Sequence, residues 1–142
     1  MPSIEPEPEQ LQRLLRDVAE PGPVVMINLL RYRDHAAYPA GVDATACSGR
    51  EAYQRYGAVA VHTIAEVGGE ILWMGAVQTA LIAPQGEEWD DVVLVQYPSR
   101  QAFVEMVSRA DYQAVVVHRT AALADSRLLV TVGAATPPMH SA

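Results

Sequence analysis

Residues 23–33 read PVVMINLLRYR, and they give the clearest indication of the fold. It is rich in branched and large apolar side chains and is about ten residues long, which is typical of a buried β-strand. Side chains alternate between the two faces of a strand. Here both faces are apolar, with Val24, Met26 and Leu30 on one and Val25, Ile27 and Leu29 on the other. We therefore expect the strand to be covered on both faces, since an antiparallel strand facing water would alternate with polar residues.

A helix is predicted on either side of this strand. Residues 7–20 (EPEQLQRLLRDVAE) carry apolar residues at helical spacing. Downstream, Ser48 and Glu51 form the pattern of a capping box, which predicts a helix that continues to about Val67. The intervening residues 34–48 form a long loop, and loops of this length in small domains are often functional or mobile.

The second half of the chain predicts three further strands and one helical region. The strands are residues 70–82 (EILWMGAVQTALI), 92–97 (VVLVQY) and 125–132 (DSRLLVTV). The helical region spans residues 99–123 and is expected to break near Ser108, with Asp111 capping its second segment. The acidic EEWDD run at residues 87–91 is expected to form a solvated connection between two strands.

Apart from the first helix, the element order is βαββαβ, which is the arrangement of the ferredoxin-like α+β fold. Four antiparallel strands then carry both helices on one face of the sheet. We expect one domain over residues 1–142, with a core at 22–132, an extra N-terminal helix at 7–20 and a flexible tail at 134–142. No layer remains for the second face of the sheet, so we predict that a second copy of the chain covers it in a homodimer.

Composition argues against several classes of function. The net charge is −7 and all ten basic residues are scattered arginines, so we expect neither nucleic acid nor an anionic membrane as a partner. The single cysteine, Cys47, cannot form an internal disulfide or a cysteine-based zinc site. The four histidines show no metal-binding spacing and no Gly-rich phosphate loop is present, so we expect no metal and no cofactor. The acidic start without an apolar signal segment favours the cytoplasm.

Several segments together resemble a known family. They are VVMINLLRYR at 24–33, GREAYQRYG at 49–57, GGEILWMG ending at Gly75, WDDVVLVQYPSRQAF at 89–103, and ADYQA followed by Arg119. The chain resembles the uncharacterised family of unknown function 1330, in the dimeric α/β-barrel superfamily. The resemblance implies that two sheets face each other across a dimeric barrel, with a cleft on each subunit. It implies no single reaction, because that superfamily contains monooxygenases, isomerases, dehalogenating and haem-dependent enzymes, and non-catalytic members.

Seven residues are candidates for lining the cleft and binding a substrate: Asn28, Arg31, Tyr32, Tyr56, Trp73, Gln96 and Arg119. The two amides lie within apolar strands, where they can orient a substrate or link neighbouring backbone. Arg31 can clamp a carboxylate or an enolate, or it can form a surface ion pair. Arg119 lies among apolar helix residues, where it can bury its stem and pair with an acid, and the family resemblance favours its pointing toward the cleft. Tyr56 can pack in the core or offer its hydroxyl to a ligand, and Trp73 can form a cleft wall or a dimer contact. We expect the 34–48 loop to lie over the mouth of the cleft as a lid.

Two functions of different classes fit these residues, and no catalytic residue is assigned in either. In the first, a cofactor-independent enzyme acts on a small carbonyl or phenolic compound. Asn28 and Arg31 then polarise an oxygen while Tyr56 or a histidine moves the proton. Alternation places Asn28 and Arg31 on opposite faces, so both can line one pocket only if the end of the strand twists or bulges. In the second, a non-catalytic ligand-binding or stress-related module uses the same cleft. A minor third hypothesis is haem binding through His118.

Overall fold

Four strands and four helices make up the part of the chain that the computed structural model describes, residues 2–18 and 22–133. In chain order they are α1 (Pro8–Asp17), β1 (Val24–Tyr32), α2 (Gly49–Glu66), β2 (Glu70–Ala76), β3 (Asp91–Tyr97), α3 (Arg100–Ser108), α4 (Ala110–Ala122) and β4 (Leu123–Val132). The ferredoxin-like α+β fold with an extra N-terminal helix is thereby confirmed. No helix in these two ranges is long and apolar enough to cross a membrane. The predicted tail at 134–142 lies outside the described residues.

The four strands form one antiparallel sheet in the order β2-β3-β1-β4. β1 is central, because Val24 pairs with Tyr97 of β3 on one side and with Val132 of β4 on the other. The β1 side chains that face the helices, Val24, Met26 and Leu30, are almost inaccessible to solvent. Those on the opposite face, Val25, Ile27 and Leu29, stay partly exposed. The helices therefore cover one face of the sheet, which we call the inner face, and leave the outer face open.

Helix starts follow the local capping chemistry. At the start of α2 the Ser48 hydroxyl accepts from the Glu51 amide at 3.0 Å and the Glu51 carboxylate accepts from the Ser48 amide at 3.1 Å, so the predicted capping box forms. α1 is shorter than the predicted 7–20, and within it Leu14 is buried while Leu11 and Leu15 remain exposed. This helix is therefore attached to the domain by a narrow apolar contact.

The strand boundaries differ from the prediction at two places. β2 ends at Ala76 rather than at residue 82, and the following segment at 77–90 leaves the sheet. That segment includes Gly86 in the left-handed region at φ +87°, which a strand does not use. β4 begins at Leu123, immediately after the last residue of α4, so its first two residues were missed from the sequence.

The long helical region divides after Ser108, as its sequence predicts. The predicted capping residue is wrong, because Arg109 occupies the N-cap position of α4 and makes no side-chain cap. Asp111 lies in the first turn of α4, where its two carboxylate oxygens accept from the Arg109 guanidinium at 3.0 and 3.1 Å. A carboxylate in the first turn also complements the helix dipole.

The 34–48 loop packs against the C-terminal end of α4. The backbone amides of Arg33 and Ala37 donate to the carbonyl oxygens of Ala122 and Ala121, each at 2.8 Å. The last carbonyls of a helix have no donors within the helix. The loop and the residue before it supply donors for two of them, which fixes the loop on α4.

Gly49, the first residue of α2, lies where three backbone segments cross. Its amide donates to the carbonyl oxygen of Arg33 at 3.1 Å. A Cβ atom added at this position would lie 2.5 Å from the carbonyl oxygen of Ala122, and it would overlap the Arg33 backbone as well. The crossing holds the start of α2 against the ends of β1 and α4, and it has room only for glycine.

We predict that Gly49→Ala lowers the free energy of unfolding by more than about 2 kcal/mol, because the added methyl group forces the crossing backbones apart. Gly57→Ala in the same helix is the control, since its added Cβ meets nothing within 4 Å. That variant should be more stable than the parent by about 0.5–1 kcal/mol, because glycine disfavours the helix interior. Chemical denaturation of both variants measures the difference, and equal stability would contradict the close crossing.

Candidate functional site

A cavity of about 900 Å³ lies between the inner face of the sheet and the helices. Most of its wall is apolar and comes from both layers, including Met26, Val93, Val95, Ile64, Phe103 and Met106. The two edge strands add Ile71, Met74, Leu128 and Val130, which are apolar and yet remain exposed. Pockets that bind small molecules have volumes of about 300–1,000 Å³ and are mostly apolar with a few polar groups. The cavity is therefore the candidate site.

Residues 3–6, which we call the N-terminal strap, close one side of the cavity. The Ser3 amide donates to Asp125 Oδ1 at 2.9 Å, and the Ser3 carbonyl accepts from Ser126 Oγ at 2.6 Å. Thr120 Oγ1 donates to Glu5 Oε1 at 2.6 Å. These hydrogen bonds join the strap to the end of α4 and the start of β4.

The expectation of a lid formed by the 34–48 loop is wrong. No residue of that loop lines the cavity. The loop is instead bound to the end of α4 by backbone hydrogen bonds, and the N-terminal strap closes one side of the cavity.

Arg119, in the last turn of α4, brings a positive charge to the cavity wall. It is only 8% exposed. Its Nη1 donates to the Ile4 carbonyl oxygen of the strap at 2.6 Å. None of the ion pairs within residues 2–18 and 22–133 includes it. Because a buried charge is unfavourable unless it is paired, this guanidinium is chemically the most distinctive group of the wall.

Three tyrosines, Tyr53, Tyr56 and Tyr112, line the cavity near Arg119. The Tyr56 and Tyr112 hydroxyls are 3.0 Å apart and share a hydrogen bond. Burial raises the pKa of Tyr56 well above its ordinary value. Burial also raises the pKa of Tyr53, and the positive charge of Arg119 opposes that rise. The hydroxyls of Tyr53 and Tyr56 therefore keep their protons at neutral pH and can act as hydrogen-bond donors.

Asn28 reaches the cavity from the middle of β1. Its Nδ2 donates to the Val93 carbonyl oxygen of β3 at 3.2 Å. The amide thus links two neighbouring strands and at the same time forms part of the cavity wall. Strand alternation puts Asn28 on the inner face, with Met26 and Leu30.

Four of the seven candidate residues do not line the cavity: Arg31, Tyr32, Trp73 and Gln96. Arg31 is exposed at the end of β1. Trp73 and Gln96 lie on the outer face of the sheet, because Trp73 pairs with Leu94 and alternation puts Gln96 on the same face as Leu94. The candidates that meet in the cavity are Asn28, Tyr56 and Arg119.

Tyr32 belongs to a second polar cluster, with Asp91 of β3 and Arg50 of α2. The Tyr32 hydroxyl and Arg50 Nη1 both donate to Asp91 Oδ2, at 2.6 and 3.1 Å. Burial, and then the hydrogen bond to Asp91, raise the pKa of Tyr32. Asp91 is only 9% exposed, so the expectation of a solvated EEWDD run is wrong at its last residue. The sequence signal was present in the alternation of β3, which puts Asp91 on the same face as Val93 and Val95.

His118 lies outside the cavity, and no histidine of the described chain lines it. Its Nδ1 is 2.7 Å from the Tyr38 hydroxyl, which also accepts from Arg55 Nη1 at 3.1 Å. Burial, and then the charge of Arg55, lower the pKa of His118. A haem in the cavity would thus find no histidine ligand among the described residues. Over the same two ranges, no group of three or more His, Cys, Asp or Glu side chains is arranged to hold a metal ion.

Fold and cavity together define the class: a ferredoxin-like α+β domain with a space of small-molecule size between its sheet and its helices. Residues 42–133 match the family described as Domain of unknown function (DUF1330), and the chain belongs to that family. The resemblance found in the sequence is thereby confirmed. The comparison with curated proteins gives no match.

Solved structures similar to this chain include RPA0582, a protein of unknown function from Rhodopseudomonas palustris. It is 39% identical, with 92% of this chain and 96% of that chain covered and a TM-score of 0.84. SnoaB, a cofactor-independent oxygenase from Streptomyces nogalater, is 13% identical, with coverage of 83% and 99% and a TM-score of 0.52. A hydroxynitrile lyase from Passiflora edulis is 11% identical, with coverage of 84% and 100% and a TM-score of 0.53. At such low identity these two enzymes share the fold alone with this chain.

We predict that stability falls steeply above about pH 10, the ordinary pKa of tyrosine. Burial raises the pKa of Tyr53 and Tyr56 in the folded chain, so above that pH they ionise in the unfolded chain first. Their contribution to the free energy of unfolding is complete below pH 10 and is lost as the pH rises through their raised pKa. In this pH window each such tyrosine lowers the free energy of unfolding by about 1.4 kcal/mol per pH unit.

Denaturant titrations between about pH 9 and 12 measure this slope. The variant with both Tyr53→Phe and Tyr56→Phe is the control, because it lacks the two ionising groups and should lose stability less steeply. The same slope in the parent and the variant would show that the two hydroxyls are not protected by burial.

Proposed function

We propose that the protein is a homodimer in which each subunit binds a small, largely apolar organic molecule in the cavity between its sheet and its helices. The observation that carries the proposal is the cavity itself. It combines about 900 Å³ of mostly apolar space with a few hydrogen-bonding groups gathered near Arg119. Such a space favours a ligand with an apolar body and few polar atoms.

The outer face of the sheet supports the homodimer. Trp73 is 62% exposed there, and Leu129, which pairs with Ile27, is also exposed. Val25, Ile27 and Leu29 of the central strand remain partly open on the same face. Contiguous apolar surface of this kind marks an interaction site. A second copy of the same face is a suitable partner, because an interface built from one self-complementary patch closes with twofold symmetry.

Binding without chemistry is favoured over catalysis by the groups present. The tyrosine hydroxyls and Arg119 can stabilise an oxyanion, as a cofactor-independent enzyme for a carbonyl or phenolic compound requires. Such an enzyme also needs a base. The only carboxylate in the wall of the cavity, as far as the structure describes it, is Glu5, which already accepts from Thr120. The catalytic hypothesis therefore stands second, and detection of turnover would move it to first place.

We predict that filling the cavity from its edge weakens binding of a neutral apolar dye such as Nile red. Met74→Trp puts a larger side chain, which carries an indole ring, at a cavity residue. Because Met74 is 59% exposed, the core need not rearrange. The dissociation constant should rise by at least about tenfold, since the ring occupies space that the dye needs. Leu72→Trp, two residues earlier on β2 and outside the cavity wall, is the control and should bind as the parent does. Equal affinity in the two variants would place the dye elsewhere.

We predict that the chain scatters light as a particle of about twice its 15.4 kDa mass at micromolar concentration. Trp73→Glu should raise the dimer dissociation constant by at least about tenfold, because it puts an unpaired charge into the proposed apolar interface. Leu15→Glu is the matched control, since Leu15 is an exposed apolar residue of α1 in the helical layer. A monomeric parent, or equal effects of the two substitutions, would refute pairing through the outer face.

A further inference from the structure

We infer that the ligand of the cavity is an organic anion with an apolar body and one carboxylate, and that Arg119 binds the carboxylate. This inference rests on the proposed function and names the chemical class of the ligand. It follows from the missing counterion of a buried cation, from the position of that cation in the cavity and from the number of charges in the wall.

The counterion of Arg119 is missing from the described part of the chain. A guanidinium has five N–H donors. Arg119 Nη1 donates to the Ile4 carbonyl, and the Arg119 side chain also hydrogen-bonds to the Tyr53 hydroxyl, so the partners found for it are uncharged. Desolvation of a cation is strongly unfavourable unless a negative charge compensates it. A carboxylate matches the remaining donors, because the planar fork of a guanidinium binds its two oxygens side by side.

The acidic side chains near Arg119 are already engaged by other groups. Glu5 accepts from the Thr120 hydroxyl at 2.6 Å. Asp125 Oδ1 accepts from the Ser3 amide, the Ser126 amide and the Arg127 guanidinium, all within 2.9 Å. The protein thus holds its own carboxylates beside Arg119 without pairing them to it, which leaves the guanidinium available to a ligand.

The position of Arg119 sets the direction of the ligand. Arg119 contacts the N-terminal strap, which is bound to the start of β4 at one edge of the sheet. Ile71 and Met74 line the cavity from β2 at the other edge. Three strand spacings separate these edges, which is about 14 Å. A carboxylate at Arg119 can therefore carry a medium-length alkyl chain or an aryl group across the apolar inner face.

The charges in the wall favour a single negative charge on the ligand. The other arginine that lines the cavity, Arg127, is paired with Asp125 at 2.8 Å and lies over the Trp89 ring. The single positive charge of Arg119 balances the one negative charge of a carboxylate. A phosphate dianion would keep one negative charge without a partner. The hydroxyls of Tyr53 and Tyr56 stay protonated because burial raises the pKa of both, so they add donors without adding charge.

The test compares three eight-carbon probes of equal length by isothermal titration calorimetry: octanoate, octanol and octylammonium. With the parent protein we expect octanoate to bind at least about tenfold more tightly than octanol, and octylammonium to bind least. This order is informative because octanoate is the better hydrated of the first two, so apolar burial alone would favour octanol.

The matched variants are Arg119→Gln and Arg109→Gln. The glutamine amide at position 119 can still donate to the Ile4 carbonyl, so the strap keeps its hydrogen bond while the charge is removed. Arg109 pairs with Asp111 on the surface, and its replacement removes one positive charge outside the cavity wall. We expect Arg119→Gln to raise the dissociation constant of octanoate by at least about tenfold and to leave that of octanol unchanged. Arg109→Gln should change neither dissociation constant. Circular dichroism of both variants checks the fold.

Each outcome decides between the inference and its alternatives. If octanol binds the parent as tightly as octanoate does, the cavity takes neutral ligands, and this inference fails while the proposed function survives. If neither probe nor the neutral dye binds, the proposed function fails as well. If Arg119→Gln does not fold, the order of the three probes with the parent still supports or overturns the anion.

Discussion

The hydrogen bond from the Arg119 guanidinium to the Ile4 carbonyl is the contact on which the site depends. It connects α4 to the N-terminal strap, and the strap forms one wall of the cavity. Three further hydrogen bonds, made by Ser3 and Glu5 to β4 and α4, hold the strap in the same place. Because the accepting group is an uncharged carbonyl, the contact positions the guanidinium without neutralising it. This interaction therefore helps to close one side of the cavity and brings a positive group to its wall.

The alternation of β1 distributes the remaining properties of the domain. Its inner-face residues Val24, Met26 and Leu30 are sealed against the helices, and Asn28 between them opens onto the cavity. The residues of the other face contribute to the apolar outer surface that we assign to a partner copy. In the function that we propose, the two faces have two roles, ligand binding inside and pairing outside. A shift of the strand by one residue would exchange them.

Periodicity predicted most of the fold because each helix and strand has a clear apolar repeat and clear turn residues. It predicted less of the site because the site depends on register. Gln96 and Trp73 were grouped with Asn28 as polar or aromatic residues within strands, but the pairing of β3 with β1 and β2 puts both on the outer face. The N-terminal strap was missed because it makes its contacts through backbone groups and short side chains, which leave no periodic pattern. The longest loop was taken for the lid on length alone, whereas the last carbonyls of α4 accept hydrogen bonds from it and from Arg33.

A row of tyrosines lies between two buried charged residues, Asp91 and Arg119, whose surroundings differ. The rings of Tyr32, Tyr53, Tyr56 and Tyr112 follow one another with centroids 5.2–5.8 Å apart. Tyr32 donates to Asp91, which is buried and paired with Arg50. Near the rest of the row lies Arg119, equally buried and without an acidic partner among the described residues. A domain that supplies a counterion for one buried charge is able to build such pairs. A guanidinium that has no acidic partner in the described chain and lies in the wall of a cavity therefore fits the anionic ligand that we infer.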